Sequence, residues 1–166
     1  MKLLIEKGCL GKILPETEDI ESKWESIGNA YLPDGVREIA AYPTVSLGWM
    51  MYVGMAVANY WDKDWAKHSQ VENLYESIRD IRGFDEMDEA IREEILDQTR
   101  DGEEYQNTEK LVRECAQFAL NKIRHENIEP QSPAAFKIYV ASLHTLYRIG
   151  AAVQLYKLGY KMQRMN

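Results

Sequence analysis

Only two cysteines occur among the 166 residues, Cys9 and Cys115, and they form neither a Cys-x-x-Cys pair nor a zinc-type Cys/His spacing. That excludes a disulfide framework and makes a reducing cytoplasm the expected compartment. Histidine is scarce as well: His68, His125 and His144 are the whole supply. Neither Glu-x-x-His nor His-Glu-x-x-His occurs, so the ligand patterns of di-iron bundles and zinc proteases are missing. Basic residues are outnumbered, 20 Lys and Arg against 27 Asp and Glu, giving a net charge of −7. Such a balance argues against gripping nucleic acid, which needs a clustered cationic excess to neutralise phosphates. The apolar run at the start, Leu3-Leu4-Ile5, stops at Glu6-Lys7 and is too short for a signal-peptide core. Gly8 and Gly11 make only Gly-x-x-Gly, which lacks the spacing and strand context of a phosphate-binding loop. No cofactor is expected.

What the chain does contain is helical periodicity. At 45% hydrophobic and 28% charged residues it has enough apolar material for one core, and its length suits a single domain spanning 1–166. Residues 1–15 read as an irregular segment. From Thr17 to Tyr31, Ile20, Trp24, Ile27 and Tyr31 recur at the spacing of one helix face, and Pro33-Asp34-Gly35 is expected to break that helix. A short helical piece over Val36–Ala41 follows, and Pro43 suits the first position of the next helix, where a missing N–H is harmless.

Between Ile39 and Trp61 no residue is charged, and Thr44–Trp61 is apolar or small on every face. A helix of that kind must be enclosed all round. With Thr44, Ser46 and Asn59 inside it, the run falls short of the roughly 20 apolar residues that span a bilayer, so protein rather than membrane is expected to enclose it. Gly48, Gly54, Ala56 and Ala58 would let neighbouring helices approach, while Trp49, Met50, Met51, Tyr52 and Met55 fill space between them. Ser69-Gln70-Val71-Glu72 matches a capping box, with Val71, Leu74, Tyr75, Ile78 and Ile81 following before Gly83. Asp85 is placed to cap a helix carrying Met87, Ile91 and Ile95 inward, and Asp101-Gly102 reads as a turn. In the next helix Leu111, Cys115 and Phe118 form one stripe, beside Val112, Ala116, Ala119 and Ile123. The stretch 129–133 is an inter-helix linker ending in Ser132-Pro133, a cap followed by a first-turn proline. The last helix, Pro133–Tyr160, carries apolar residues on most of its circumference.

These features predict an all-α, compact helical bundle of about five to seven helices, with Thr44–Trp61 and Pro133–Tyr160 as two largely buried central helices. Charge is distributed unevenly along it. Asp85–Glu104 holds ten acidic residues against Arg92 and Arg100, a net −8, whereas the stretch from Pro133 onward holds five Lys and Arg and no acid. Attraction between these segments, within the chain or between copies, would orient more than stabilise.

Trp24-x-x-Ile27-Gly28-x-x-Tyr31, with Ala40 after it, resembles the first half of one tetratricopeptide repeat. The resemblance implies paired helices stacked to bind peptides, yet a step of 34 residues brings no second copy, and Trp24 and Tyr31 also read as plain core anchors.

Two candidate sites remain. Asp64, His68 and Glu72, spaced i, i+4, i+8, would line one face of an unbroken helix as metal ligands, although a helix start at Ser69 would interrupt that face. Trp49, Tyr52, Trp61, Trp65 and Tyr147 could line an apolar ligand pocket, or simply fill the core. His144, at the edge of the last helix's apolar face, and His125, near a helix end, would need an acid or Cys115 beside them to act chemically. The expected function is contact with an unidentified protein partner or self-association, without nucleic acid or membrane; the alternative is a bundle enzyme or small-ligand binder.

Overall fold

The computed structural model describes residues 17–125 and 132–160. The expected irregular segment 1–15, Cys9, the Gly8/Gly11 pair and most of the 129–133 linker lie outside the described residues. Seven α-helices and one π-helical turn are present, with no strand among the described residues: α1 Glu18–Glu21, α2 Trp24–Ile39, α3 Pro43–His68, α4 Leu74–Arg79, α5 Met87–Ala90, the π turn Ile91–Ile95, α6 Glu103–His125 and α7 Pro133–Lys157. The all-α bundle predicted from periodicity is the observed architecture, and α3 and α7 are its central pair.

Glycine explains how those two helices meet. A Cβ on Gly54 would lie 2.1 Å from the Tyr147 carbonyl oxygen, and one on Gly150 would lie 2.0 Å from the Met51 carbonyl oxygen. Each helix therefore offers its partner bare backbone at the crossing, and no other residue would fit there. Contacts flanking the crossing fix the direction: Ser46 reaches Tyr139 near the start of both helices, and Gln154 reaches Asn59 further along both. The rise in number on both sides makes α3 and α7 parallel, which the intervening α4–α6 stretch makes possible. Met50, Met51, Tyr52, Val53, Met55, Val57, Leu143, Tyr147 and Val153 are buried around this seam. Helix α6 runs the opposite way, packing Val112 and Ala116 against Gly48 and Tyr105 near Tyr52 through Arg92.

Several local expectations need correction. Pro33-Asp34-Gly35 does not end the second helix; α2 runs through to Ile39. The reason is tertiary. Asp34 is buried and accepts hydrogen bonds from Tyr75 Oη at 2.7 Å, Arg79 at 3.2 Å and Arg37 at 2.9 Å, while Gly35 leaves room for the Tyr31 ring and the Tyr139 hydroxyl. Those contacts hold the turn where Pro33, which has no backbone N–H, donates no helical hydrogen bond. The chain breaks earlier instead, at Ser22-Lys23, separating α1 from α2. Ser69 caps no helix start: it follows the end of α3, and Asn73 does the capping, accepting from Glu76 N at 3.0 Å while Nδ2 donates to the Glu76 carboxylate at 2.9 Å. Asp85 gives no cap, since α5 begins at Met87 after Glu86. Phe118, assigned to the inward stripe of α6, is exposed; the buried stripe is Thr108, Leu111, Val112, Cys115 and Ala116. Helix α7 ends at Lys157, short of Tyr160, because Gly159 turns into the left-handed region at φ 92°.

A first-turn proline opens both central helices, with a serine cap at α7. Pro43 occupies the first turn of α3, and Ser132 Oγ accepts from Ala135 N at 3.1 Å before Pro133 opens α7.

Candidate functional site

The first turn of the described chain is tied down from several sides. Glu21, at the end of α1, receives Arg148 Nε and Nη2, each at 3.0 Å, and lies 2.5 Å from His144 Nε2. Burial pushes the Glu21 carboxyl up, but the hydrogen bonds from Arg148 and His144 outweigh it and hold the group below its usual range. Tyr147 Oη donates to the Ile20 carbonyl at 2.6 Å, and on the other flank Trp61 Nε1 donates to Asp19 at 2.9 Å. Lys23 Nζ donates to the Ser69 carbonyl at 2.6 Å and lies over the Trp65 ring.

His144 does more than hold Glu21. Its ring stacks on Trp24, centroid to centroid 4.6 Å with 1° between planes, and Trp24 in turn covers Gly28, whose absent Cβ would meet the indole at 3.0 Å. Trp24 is thus clamped between α2 and α7. Beside it opens a cavity of about 340 Å³ lined by Trp24, Glu25, Gly28, Asn29, Leu32, Val140, Leu143 and His144. Trp24, Gly28 and Leu32 follow one face of α2 turn by turn, and Glu25 and Asn29 follow the next face outward.

The structure places the five aromatic residues expected to line a ligand pocket in separate contacts. Trp49 and Tyr52 meet edge to face at 5.9 Å, with Trp49 Nε1 donating to the Phe84 carbonyl at 2.7 Å. Trp61 packs on Tyr160, Trp65 faces Lys23, and Tyr147 is buried against α1 and Trp24. They act as separate tethers between elements.

Asp64, His68 and Glu72 also part company. Asp64 leaves helical geometry at φ −158° and ψ 69°, and its carboxylate accepts from Lys67 N at 3.3 Å, so it caps a fresh turn rather than continuing the old face. His68 stacks on Tyr60 at 3.7 Å; burial moves its pKa down, against the pull of Asp64. Among the described residues no group of three or more His, Cys, Asp or Glu could hold a metal ion. His125 is exposed at the end of α6, and Cys115 is buried in that helix's inward stripe.

Compared with protein-family models, curated proteins and solved structures, the chain matches none. Function therefore has to be argued from this molecule alone.

Two further polar clusters are inside the bundle. Ser46 Oγ donates to the Gly35 carbonyl at 2.8 Å and lies 2.6 Å from Tyr139 Oη, while Tyr31 Oη donates to the Ser46 carbonyl. Burial pushes the Tyr139 hydroxyl up to about 12. In the second cluster Arg92, 2% exposed, lies over the Tyr105 ring at 3.7 Å, donates to Asp88 Oδ2 at 3.1 Å and reaches the Tyr105 carbonyl at 3.2 Å. The π turn that carries Arg92 is also bound by Arg100 to Glu93 and by Arg82 to Glu94. Much of the acidity of Asp85–Glu104 is consumed in these local pairs. Neither cluster opens onto the cavity beside Trp24, and both read as structural.

No helix of the described residues is long and apolar enough to cross a membrane. Sequence reasoning named His144 but missed Glu21, Trp24, Glu25 and Asn29 as its company. A stack between residues 120 positions apart leaves no periodic trace; the only available signal was the apolar, aromatic face of α2 turning polar at Glu25 and Asn29.

Proposed function

We propose that this chain works by contact with protein, and first of all with a second copy of itself, in the cytoplasm. One observation carries the reading: three large apolar side chains stand in solvent at a single end of the bundle. Val36 is 45% exposed, Tyr42 62% and Phe136 48%. Their common location follows from the Ser46 node, which touches Gly35 and Tyr139; Val36, Tyr42 and Phe136 all lie within about one helical turn of those three residues. Phe136 is also in line with Tyr139, Val140 and Leu143, so the inward stripe of α7 runs on past the end of the core. Large apolar side chains grouped in this way are typical of association surfaces. The paucity of cysteine supports the reducing compartment.

Light scattering at micromolar concentration tests this reading. A mass near two or more chains is expected, dropping to one chain mass of 19.3 kDa in Tyr42→Ser/Phe136→Ser. One chain mass for the unaltered protein at every concentration would end the self-association reading.

A further inference from the structure

The cavity between α2 and α7 is a second feature, about one helical turn from the exposed apolar end, since Leu32 and Val140 in its lining precede Val36 and follow Phe136 by one turn. At about 340 Å³ it falls at the small end of the range typical of ligand pockets. Its floor is apolar, formed by Leu32, Val140 and Leu143, and one wall is the Trp24–His144 stack. That wall is rigid, because Trp24 rests on Gly28 and His144 is held through Nε2 by Glu21. A preformed wall reduces the ordering that binding requires.

The polar groups decide the chemistry. Four lining side chains can hydrogen-bond: the Trp24 indole, which can only donate, and Glu25, Asn29 and His144. The Glu21 charge nearby is already met by Arg148, whose guanidinium donates to both oxygens of the Glu21 carboxylate. Glu25 is different: it and Asn29 are exposed, one turn apart on α2, and neither side chain is engaged by another described residue. The cavity rim thus carries one uncompensated carboxylate beside an amide oxygen, over an apolar floor. An anion would face repulsion from Glu25, and a purely apolar molecule would leave both rim groups unused.

We propose that this cavity binds a small organic amine, with its ammonium group between Glu25 and Asn29 and its apolar body on Leu32, Val140 and Leu143 beside the Trp24–His144 stack. Glu25 supplies the charge selection, Asn29 a second acceptor, and the floor the contact area. Recognition of this sort combines a few placed polar groups with a mostly apolar lining.

The test uses the full chain and two probes sharing one body: 2-phenylethylamine and 3-phenylpropanoate. Backbone amide resonances of Gly28 and His144 report occupancy by NMR. The amine is expected to shift both saturably and the carboxylate to shift neither. Glu25→Gln is expected to weaken amine binding by about tenfold, the loss of one charge-assisted contact. Val140→Trp, which fills the floor, is expected to abolish it; should that variant fail to fold, Glu25→Gln still decides. Equal response to both probes, no saturable shift with the amine, or unchanged affinity in Glu25→Gln would each overturn the proposal.

Discussion

Replacing Gly54 by alanine puts one methyl group where α3 and α7 touch backbone to backbone. In the present geometry that Cβ would stand 2.1 Å from the Tyr147 carbonyl oxygen and 3.0 Å from Ala151 N, while ordinary contact begins at 3.4 Å. The helices would have to part by about 1.3 Å along a seam packed as densely as an organic crystal. A flexible side chain could swing away; a carbonyl in the middle of a helix cannot. Overpacking of a core costs about 1–3 kcal/mol and sometimes more, whereas alanine gains about 1 kcal/mol over glycine inside a helix. The obstacle is main chain, so the upper part of the range applies, and a net loss of about 2 kcal/mol is expected. For a chain of this size that lowers the melting temperature by about 4–8 °C. Gly150→Ala meets the Met51 carbonyl at 2.0 Å and should behave alike. The double variant should lose less than the sum, since one separation relieves both clashes. Gly48→Ala is the internal control: its Cβ meets only the Val112 Cγ1 tip at 3.0 Å and Ala116 Cβ at 3.6 Å, so helix propensity should leave it within about 1 kcal/mol of the parent. Calorimetric melts of the four variants check the set. Gly54→Ala as stable as Gly48→Ala would refute the close crossing.

The other predictions concern the polar clusters. Tyr139→Phe removes the hydroxyl 2.6 Å from Ser46 Oγ in a buried setting and should cost about 1–2 kcal/mol by urea melts. Stability should hold up to about pH 10 and fall as pH rises toward 12, because burial raises the Tyr139 hydroxyl from 10.0 to about 12, so the unfolded chain ionises first. The same urea midpoints, followed against pH, would contradict this by staying level through that window. Arg92→Ala strands the partly buried Asp88 and empties the space between Tyr52 and Tyr105, with an expected loss of about 3–5 kcal/mol; a neutral result would mean that the Arg92 pair is not the anchor of the π turn. Glu21→Gln should loosen α1 at a cost of no more than about 1 kcal/mol, since Arg148 and Glu21 are both more than a third exposed and screened by solvent. The Glu21 carboxyl is held low, so this contribution is present above its ordinary value of 4.5 and disappears as pH falls through the folded-state value. Faster amide exchange at Ile20 in the variant reads it directly.

The bundle was legible because its signals are periodic. An uncharged stretch that is apolar on every face has to be enclosed, and a proline after a serine announces a helix start, so α3 and α7 could be read from Thr44–Trp61 and Ser132-Pro133 without coordinates. What escaped depended on partners distant in the chain. Pro33 stays in a helix because Asp34 is held by Tyr75 and Arg79, more than 40 positions away. Ser69-x-x-Glu72 carries the right residues for a capping box, yet Asn73-x-x-Glu76 wins, placing Leu74, Tyr75 and Ile78 in the core. Asp64 breaks the face that i, i+4, i+8 spacing assumes, which spacing alone cannot reveal. The cavity is written in neither helix singly: α2 contributes Glu25 and Asn29, α7 contributes Val140 and His144, and only their packing makes a site.

Amide exchange measured at low and high protein concentration tests the whole account most directly, because it asks in one experiment what encloses the apolar helix and what covers the apolar end. The amides of Met51–Ala58 should be the slowest in the molecule at both concentrations, and that of Phe136 should slow only when the protein is concentrated. Rapid exchange of Met51–Ala58 in the dilute sample, or a Phe136 amide indifferent to concentration, would contradict it.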